Sequence, residues 1–254
     1  MQKQITEANL RLLIDSLLLK RQRVVGPRKT GAALLYEPLS TASDLVVDEL
    51  PRRSAKEAFF PLCEDLLEYR KEGQKVELTD VTPDRFPETV LFGIRPCDAA
   101  AVPALDAVFS WDYRDQFFLE RRARTTIIGL ACTAADDACF CTAVGLSPDS
   151  PKGSDLMLTP LQGGGFLADS FSEKGESFLA TWKDLFSEPD GTAPQPLASP
   201  SAEPFDLKKI KAWLDDHFED DAWDGIATRC VGCGACAFVC PACHCFDIID
   251  EGTE

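Results

Sequence analysis

The sequence is poor in histidine, in positive charge and in long apolar runs. It has 2 histidines among 254 residues, and 42 acidic against 26 basic residues give a formal net charge of -16. This charge argues against nucleic acid or an anionic membrane as a partner and favours a basic docking surface on another protein. No apolar run reaches the roughly 18 residues of a membrane span, so none is predicted. The opening residues, MQKQITEANL, lack the basic and apolar regions of a signal peptide, so a cytoplasmic location is expected.

Cysteine, by contrast, is abundant, with 11 residues. Disulfides are rare in a reducing cytosol, so the composition favours metal binding or redox chemistry. Cys63 stands alone and is interpreted as a core residue of a helix predicted over residues 54–73. The others form an inner group and a terminal group. The inner group is Cys97, Cys132, Cys139 and Cys141, and the terminal group is Cys230, Cys233, Cys236, Cys240, Cys243 and Cys245.

Strand and helix patterns predict an α/β (α+β) N-terminal domain with a C-terminal ferredoxin-like iron-sulfur segment. The domain is predicted at residues 1–186, and a linker rich in Pro, Ser and Ala at 187–205. A helix and a half ferredoxin-like segment are predicted at 206–254. The first helix is expected to end near Leu19, with a break at Gly26-Pro27 before the next strand.

Two short apolar runs, at 90–94 and 125–130, are predicted to be buried strands, and a cysteine follows each of them. Cys97 is expected in a strand-to-helix turn with Asp98 as the helix cap, and Cys132 directly follows the second strand. Open α/β sheets bind ligands at the carboxyl ends of their strands. The two turns are therefore expected to converge on one site.

The terminal group begins with C-x2-C-x2-C-x3-C-P, the bacterial ferredoxin spacing. In that motif three thiolates bind one face of a [4Fe-4S] cube, and the fourth cysteine ligates the other cluster of a pair. Gly232 and Gly234 supply the flexible backbone that this approach needs. Only one motif is present, so a fourth thiolate is lacking, and Cys243 and Cys245 are candidate extra ligands. A zinc-binding structural or regulatory subunit is the alternative, although zinc prefers two separated knuckles.

The inner group, spaced C-x34-C-x6-C-x-C, is a second candidate set of cluster ligands. A zinc site or buried thiols are the alternatives. Arg95 could donate hydrogen bonds to cluster sulfurs and raise the reduction potential, or pair with Asp98. A catalytic thiol at Cys97 or Cys141 is a further hypothesis, but no histidine is near in sequence, so no catalytic residue is predicted. His244 is expected to be exposed.

Three stretches together resemble a known family: FGIRPCDAAAVPALDAVF, IIGLACTAADDACFCTAVG and CVGCGACAFVCPACHCFDIID. They resemble the beta subunit of cytoplasmic NAD(P)-linked [NiFe] hydrogenases, or sulfhydrogenases, and the A subunit of anaerobic sulfite reductase. SAKEAFFP and DYRDQFFLERR extend the resemblance, which runs from about residue 54 to the end. It implies a subunit whose [4Fe-4S] clusters relay electrons between a flavin- and NAD(P)-binding subunit and a catalytic subunit. The ligands implied by position are Cys230, Cys233, Cys236 and Cys240, together with Cys97, Cys132, Cys139 and Cys141.

The sequence also departs from this family. Family members continue past CFDIID to a second ferredoxin motif, whereas this sequence ends at Glu254. Either a neighbouring subunit completes the dicluster domain or the chain is a shortened version, and completion by another chain is favoured. We expect one to three clusters, with two favoured. The GGG at 163–165 lacks the context of a dinucleotide site, so NAD(P) or FAD is not expected on this chain. The sequence predicts a non-catalytic electron-transfer subunit of a multisubunit, anaerobic oxidoreductase.

Overall fold

The strands of this chain form one large sheet and one separate hairpin. The computed structural model describes residues 1–82, 86–200 and 205–252. The predicted linker therefore has residues 201–204, and the predicted terminal segment residues 253–254, outside the described part of the chain. The described strands are β1 (Gln2–Ile5), β2 (Arg23–Thr30), β3 (Ala33–Pro38), β4 (Leu67–Glu72), β5 (Lys75–Asp80), β6 (Thr89–Ile94), β7 (Thr125–Leu130), β8 (Leu156–Pro160) and β9 (Phe166–Ser170).

The large sheet is mixed and has the strand order β1-β9-β8-β7-β6-β2-β3. The four central strands, β8, β7, β6 and β2, are parallel to one another. At the edges, β3 pairs antiparallel with β2, β9 pairs antiparallel with β8, and β1 pairs antiparallel with β9. Helices connect or flank these strands, so the predicted α/β class is confirmed. The described helices are α1 (Glu7–Leu19), α2 (Pro96–Phe109), α3 (Gln116–Ala123), α4 (Glu173–Thr181), α5 (Leu207–Asp216), α6 (Ala222–Ala227) and α7 (Ala235–Val239).

Helices cover both faces of the large sheet. Successive side chains of its central strands are therefore buried on opposite faces. In β6, Val90 and Phe92 belong to the core cluster that includes α1 and α4. Leu91 and Ile94 belong to the cluster on the opposite face, which includes α2 and α3. A strand that is apolar at every position is typical of a sheet buried on both faces. The prediction of buried strands at 90–94 and 125–130 is therefore confirmed.

The expected break at Gly26-Pro27 is wrong, because both residues lie inside β2. The strand pairs with β6 only from Arg23 to Val25 and pairs with β3 beyond that point. Proline lacks an N–H, so it is tolerated where a strand has a neighbour on one side only. The end of the first helix at Leu19 agrees with the prediction.

The helix predicted over 54–73 is also wrong. The segment forms a short 3-10 helix, Ala55–Ala58, and then enters the β4–β5 hairpin. Pro61 follows Phe60, and a proline at this point prevents the helix from continuing. Phe59 is buried, but Cys63 is exposed, so the interpretation of Cys63 as a core residue is wrong.

The hairpin formed by β4 and β5 has an apolar and a charged face. Every residue of its two strands is exposed. Tyr69 pairs with Leu78, and this register places four apolar residues on one face: Leu67, Tyr69, Val76 and Leu78. Alternation with a period of two therefore decided the structure here, although the same apolar residues also fitted a helical pattern.

Residues 187–200 run beside the sheet. Isolated bridges join Ser187 to Gln4 and Pro194 to Leu161, and the amide of Ala198 donates to the carbonyl of Cys132. The single helix expected from residue 206 is divided into α5 and α6. No described residue from 205 to 252 is buried. None of the helices in the described ranges combines the length and apolarity needed to cross a membrane.

Candidate functional site

The inner cysteine group lies at the carboxyl ends of β6 and β7. These strands are parallel neighbours, with Ile94 opposite Gly129. Cys97 is in the first turn of α2, immediately after β6, and Cys132 follows β7 after a single intervening residue. Because parallel neighbours end at the same edge of a sheet, the topology brings these two cysteines to the same edge. The helix begins at Pro96, so Arg95 rather than Asp98 occupies the cap position.

The other two inner cysteines lie in the loop after β7. Cys141 begins a 3-10 helix, Cys141–Val144. The amide of Cys139 donates to the carbonyl of Asp136 at 3.1 Å, and the Asp136 amide donates back to the Cys139 Sγ at 3.4 Å. Electrostatic interactions link Cys97 with Cys132 and Cys141, and Cys132 with Cys139. The four cysteines of the inner group, which are spread over 45 positions of sequence, are therefore near enough to interact electrostatically.

Cys97 is exposed, and Cys132, Cys139 and Cys141 are half-buried. Desolvation by the surrounding protein is nevertheless the largest cause that raises the pKa of Cys97 to about 12, and Asp98, Cys132 and Cys141 add to the effect by repulsion. Burial also raises the pKa values of Cys132 and Cys139. Metal ligation requires thiolates, so a bound cationic centre would have to displace these protons and offset the repulsion. A set of neighbouring thiols with this property fits a cationic iron-sulfur core.

Arg95 is the buried cation beside this group, with 7% of its surface exposed. Its Nη2 donates to the carbonyls of Glu49 at 2.7 Å and Val47 at 3.2 Å, and its charge opposes the rise in the pKa of Cys132. The buried Nε has no hydrogen-bond partner among the described residues. An unpaired buried donor is costly. It fits a site in which an acceptor, such as a cluster sulfur, is bound.

Asp98 lies beside the segment that precedes β4. Burial raises the pKa of Asp98 to about 7, while polar groups of Ala55 and Ser54 and the charge of Arg95 act in the opposite direction. The expected interaction with Arg95 is therefore an electrostatic one.

The terminal group lies in a tight loop and a short helix. Gly232 and Gly234 have φ values of 69° and 70°, in the left-handed region that favours glycine. The Gly232 amide donates to the Cys230 Sγ at 3.4 Å. Cys236 lies in α7, and Cys240 is its C-cap residue. Cys240 and Cys243 are half-buried, whereas the remaining members are exposed: Cys230, Cys233, Cys236 and Cys245.

This terminal loop lies against the N-terminal region. The Lys56 Nζ donates to the carbonyls of Ala237 at 2.9 Å and Cys243 at 3.2 Å. His244 is exposed, and its ring makes an edge contact with Phe109. Sequence reasoning missed Lys56, although SAKEAFFP, which contains it, was among the stretches that carried the family resemblance. A single lysine gives no periodic signal, so only the tertiary structure shows its contact.

Both cysteine groups offer sulfur donors, but in the described part of the chain neither group has its sulfur atoms arranged around a metal ion. Within residues 1–82, 86–200 and 205–252, no cluster of three or more His, Cys, Asp or Glu side chains is positioned to hold a metal ion.

Comparison with known proteins gave one informative relative. The chain is 29% identical over 240 residues to sulfhydrogenase 2 subunit beta of Pyrococcus furiosus, a match that covers 90% of this chain and 68% of the relative. No family model matches the chain. No solved structure matches it. The match confirms the resemblance found in the sequence. The similarity to a sulfhydrogenase beta subunit supports membership of this chain in the hydrogenase beta subunit family.

Proposed function

We propose that this chain is an iron-sulfur electron-transfer subunit of a multisubunit cytoplasmic oxidoreductase. The observation that carries the proposal is the placement of Cys97 and Cys132 at one edge of the sheet, on a chain that also has a ferredoxin-spaced terminal group. The similarity to a sulfhydrogenase beta subunit supports the same role. A bound [4Fe-4S] cluster supplies reversible one-electron oxidation and reduction.

The inner group would hold one [4Fe-4S] cluster through Cys97, Cys132, Cys139 and Cys141. Burial of these thiols and the repulsion between them would be offset by the cationic iron core. Arg95 would donate its unpaired Nε–H toward a cluster sulfur. Hydrogen bonds and positive charge beside a cluster favour the reduced form, so Arg95 would raise the potential.

The terminal group would hold a second cluster in a ferredoxin-like segment. Cys230, Cys233 and Cys236 would bind one face of the cube, as the motif spacing predicts. The remaining thiolate would come from Cys240, Cys243 or Cys245. The left-handed glycines and the amide that donates to the Cys230 sulfur support a loop that bends around cluster-ligating thiolates. Two clusters are favoured, within a range of one to three.

The partners would be a flavin- and NAD(P)-binding subunit and a catalytic subunit. A further chain could complete the terminal segment, because its described residues 205–252 have no buried side chain. A segment without a core needs a bound cofactor or a partner to be stable. This argument also supports a division into a domain at 1–186, a linker at 187–205 and a terminal segment at 206–254.

Metal quantification in the native assembly tests this function. We would purify the assembly anaerobically, measure iron, sulfide and zinc per chain, and record EPR spectra of the reduced sample. About eight irons per chain, with co-purifying redox subunits, would support two cubes and the relay role. Stoichiometric zinc with negligible iron would overturn the proposal in favour of a structural zinc subunit.

A further inference from the structure

A short turn at residues 54–60, which we call the bridging turn, contacts both the inner and the terminal cysteine regions. It contains the 3-10 helix Ala55–Ala58 and the two phenylalanines that follow. Ala55, Ala58 and Phe59 are buried in the core cluster that includes α2. Because these residues are packed against the sheet domain, the polar groups of the turn have fixed positions.

One side of the bridging turn lies beside the residue next to Cys97. The Ser54 side chain and the Ala55 backbone interact favourably with the Asp98 carboxylate and lower its pKa. The Ser54 oxygen accepts a hydrogen bond from the Lys56 amide at 3.2 Å. The turn that carries Lys56 is therefore next to Asp98 and the inner cysteine region.

The other side of the turn is bonded to the terminal cysteine loop. In α7 the carbonyl of Ala237 would normally accept from the amide four residues later, but that residue is Pro241, which has no N–H. The Lys56 ammonium supplies the missing donor at 2.9 Å and uses a second donor on the carbonyl of Cys243. Lys56 thus binds the backbone on both sides of Cys240.

Two further contacts join this region to the same loop. The Arg53 guanidinium, one residue before the bridging turn, lies 4.8 Å from the centre of the Phe238 ring. The rings of Phe60, in the turn, and Phe246 are 6.1 Å apart in an edge-on arrangement. These contacts are modest individually, and the directional bonds of Lys56 determine the register of the contact.

We propose that Lys56 is a positioning residue that holds the terminal cysteine loop, residues 230–246, against the bridging turn and so keeps the two cysteine groups at a constant separation. The inference rests on the proposed function, in which both groups hold clusters. The attachment itself does not depend on metal, because the hydrogen bonds of Lys56 go to backbone carbonyls.

The test compares Lys56→Met with Lys183→Met in the full-length chain purified anaerobically. Methionine keeps the length of the side chain but removes its donors. Lys183 is exposed and lies in the 3-10 helix Lys183–Leu185, next to residues packed on the opposite face of the sheet, so it is a matched control. Hydrogen exchange of the amides in 237–246 should become about tenfold faster in Lys56→Met and stay unchanged in Lys183→Met.

A second readout concerns the clusters. With iron per chain unchanged, the magnetic interaction between the two reduced clusters should weaken in the EPR spectrum of Lys56→Met, because their separation is no longer constant. Unchanged exchange, or an interaction equal to that of the unsubstituted chain, would overturn the proposal. If the unsubstituted chain binds no iron, the proposed function fails, while exchange in the metal-free chain still decides the role of Lys56.

Discussion

Replacement of Arg95 by methionine is expected to destabilise the sheet edge that carries the inner cysteines. The buried guanidinium makes two well-formed bonds to the carbonyls of Glu49 and Val47, and a longer one of 3.5 Å to Ala131. A hydrogen bond to a charged group contributes about 1.5–3 kcal/mol. Desolvation of the guanidinium offsets part of this gain, so the free energy of unfolding should fall by about 3 kcal/mol. For a chain of this size, the midpoint of thermal unfolding should fall by about 6–12 °C.

Thermal unfolding followed by circular dichroism measures this loss in anaerobically purified protein. Arg52→Met is the matched control, because Arg52 is exposed and next in sequence to another arginine, Arg53. Its substitution should change stability by less than about 0.5 kcal/mol. A loss below about 1 kcal/mol in Arg95→Met would refute the reasoning that these carbonyl bonds hold the edge of the sheet.

The same substitution should also lower the midpoint potential of the inner cluster. Arg95 places a positive charge and an unpaired donor beside the cysteine group, and both favour the reduced cluster. A tenfold loss of this preference corresponds to about 59 mV in a one-electron couple. Redox titration monitored by EPR checks the direction. An unchanged or higher potential would contradict the placement of Arg95 against a cluster.

Three further predictions test the ligands, the fold and the terminal segment. Cys97→Ser should lower iron by about four per chain, whereas Cys63→Ser, at an exposed cysteine outside both groups, should leave it unchanged. Asp155→Asn should lower the free energy of unfolding by about 2 kcal/mol, because the buried carboxylate accepts from the amide of β7 at 2.8 Å and from a serine hydroxyl at 2.6 Å. Leu78→Asp, on the exposed hairpin, should change the free energy of unfolding by less than about 0.5 kcal/mol in the isolated chain. Denaturant titration of Asp155→Asn and Leu78→Asp measures the difference between the two losses of stability. Removal of iron with a chelator should make residues 205–229, which lie outside the loop that Lys56 holds, sensitive to trypsin while the domain at 1–186 stays intact; equal protection of both would contradict a cluster-dependent segment.

Much of the large sheet could be predicted because its signals are local. The apolar runs of β6 and β7 and the glycine turn between β8 and β9 are short, continuous patterns, and the structure has strands there. The prediction of a helix over residues 54–73 was wrong because apolar residues in a short window fit both a helix and a strand. There the proline after Phe60 and the antiparallel pairing of β4 with β5 decided the outcome.

The ferredoxin-like spacing of the terminal cysteines could be recognised from the sequence alone, because such a motif lies within a few residues. The placement of the inner group needed the tertiary structure. Parallel pairing of β6 with β7 is what brings Cys97 and Cys132 to one edge of the sheet. The role of Lys56 likewise depends on a contact between residues 181 positions apart, and local pattern contains no information about such a pair. The sequence determined which residues could act as ligands, and long-range packing decided which of them meet.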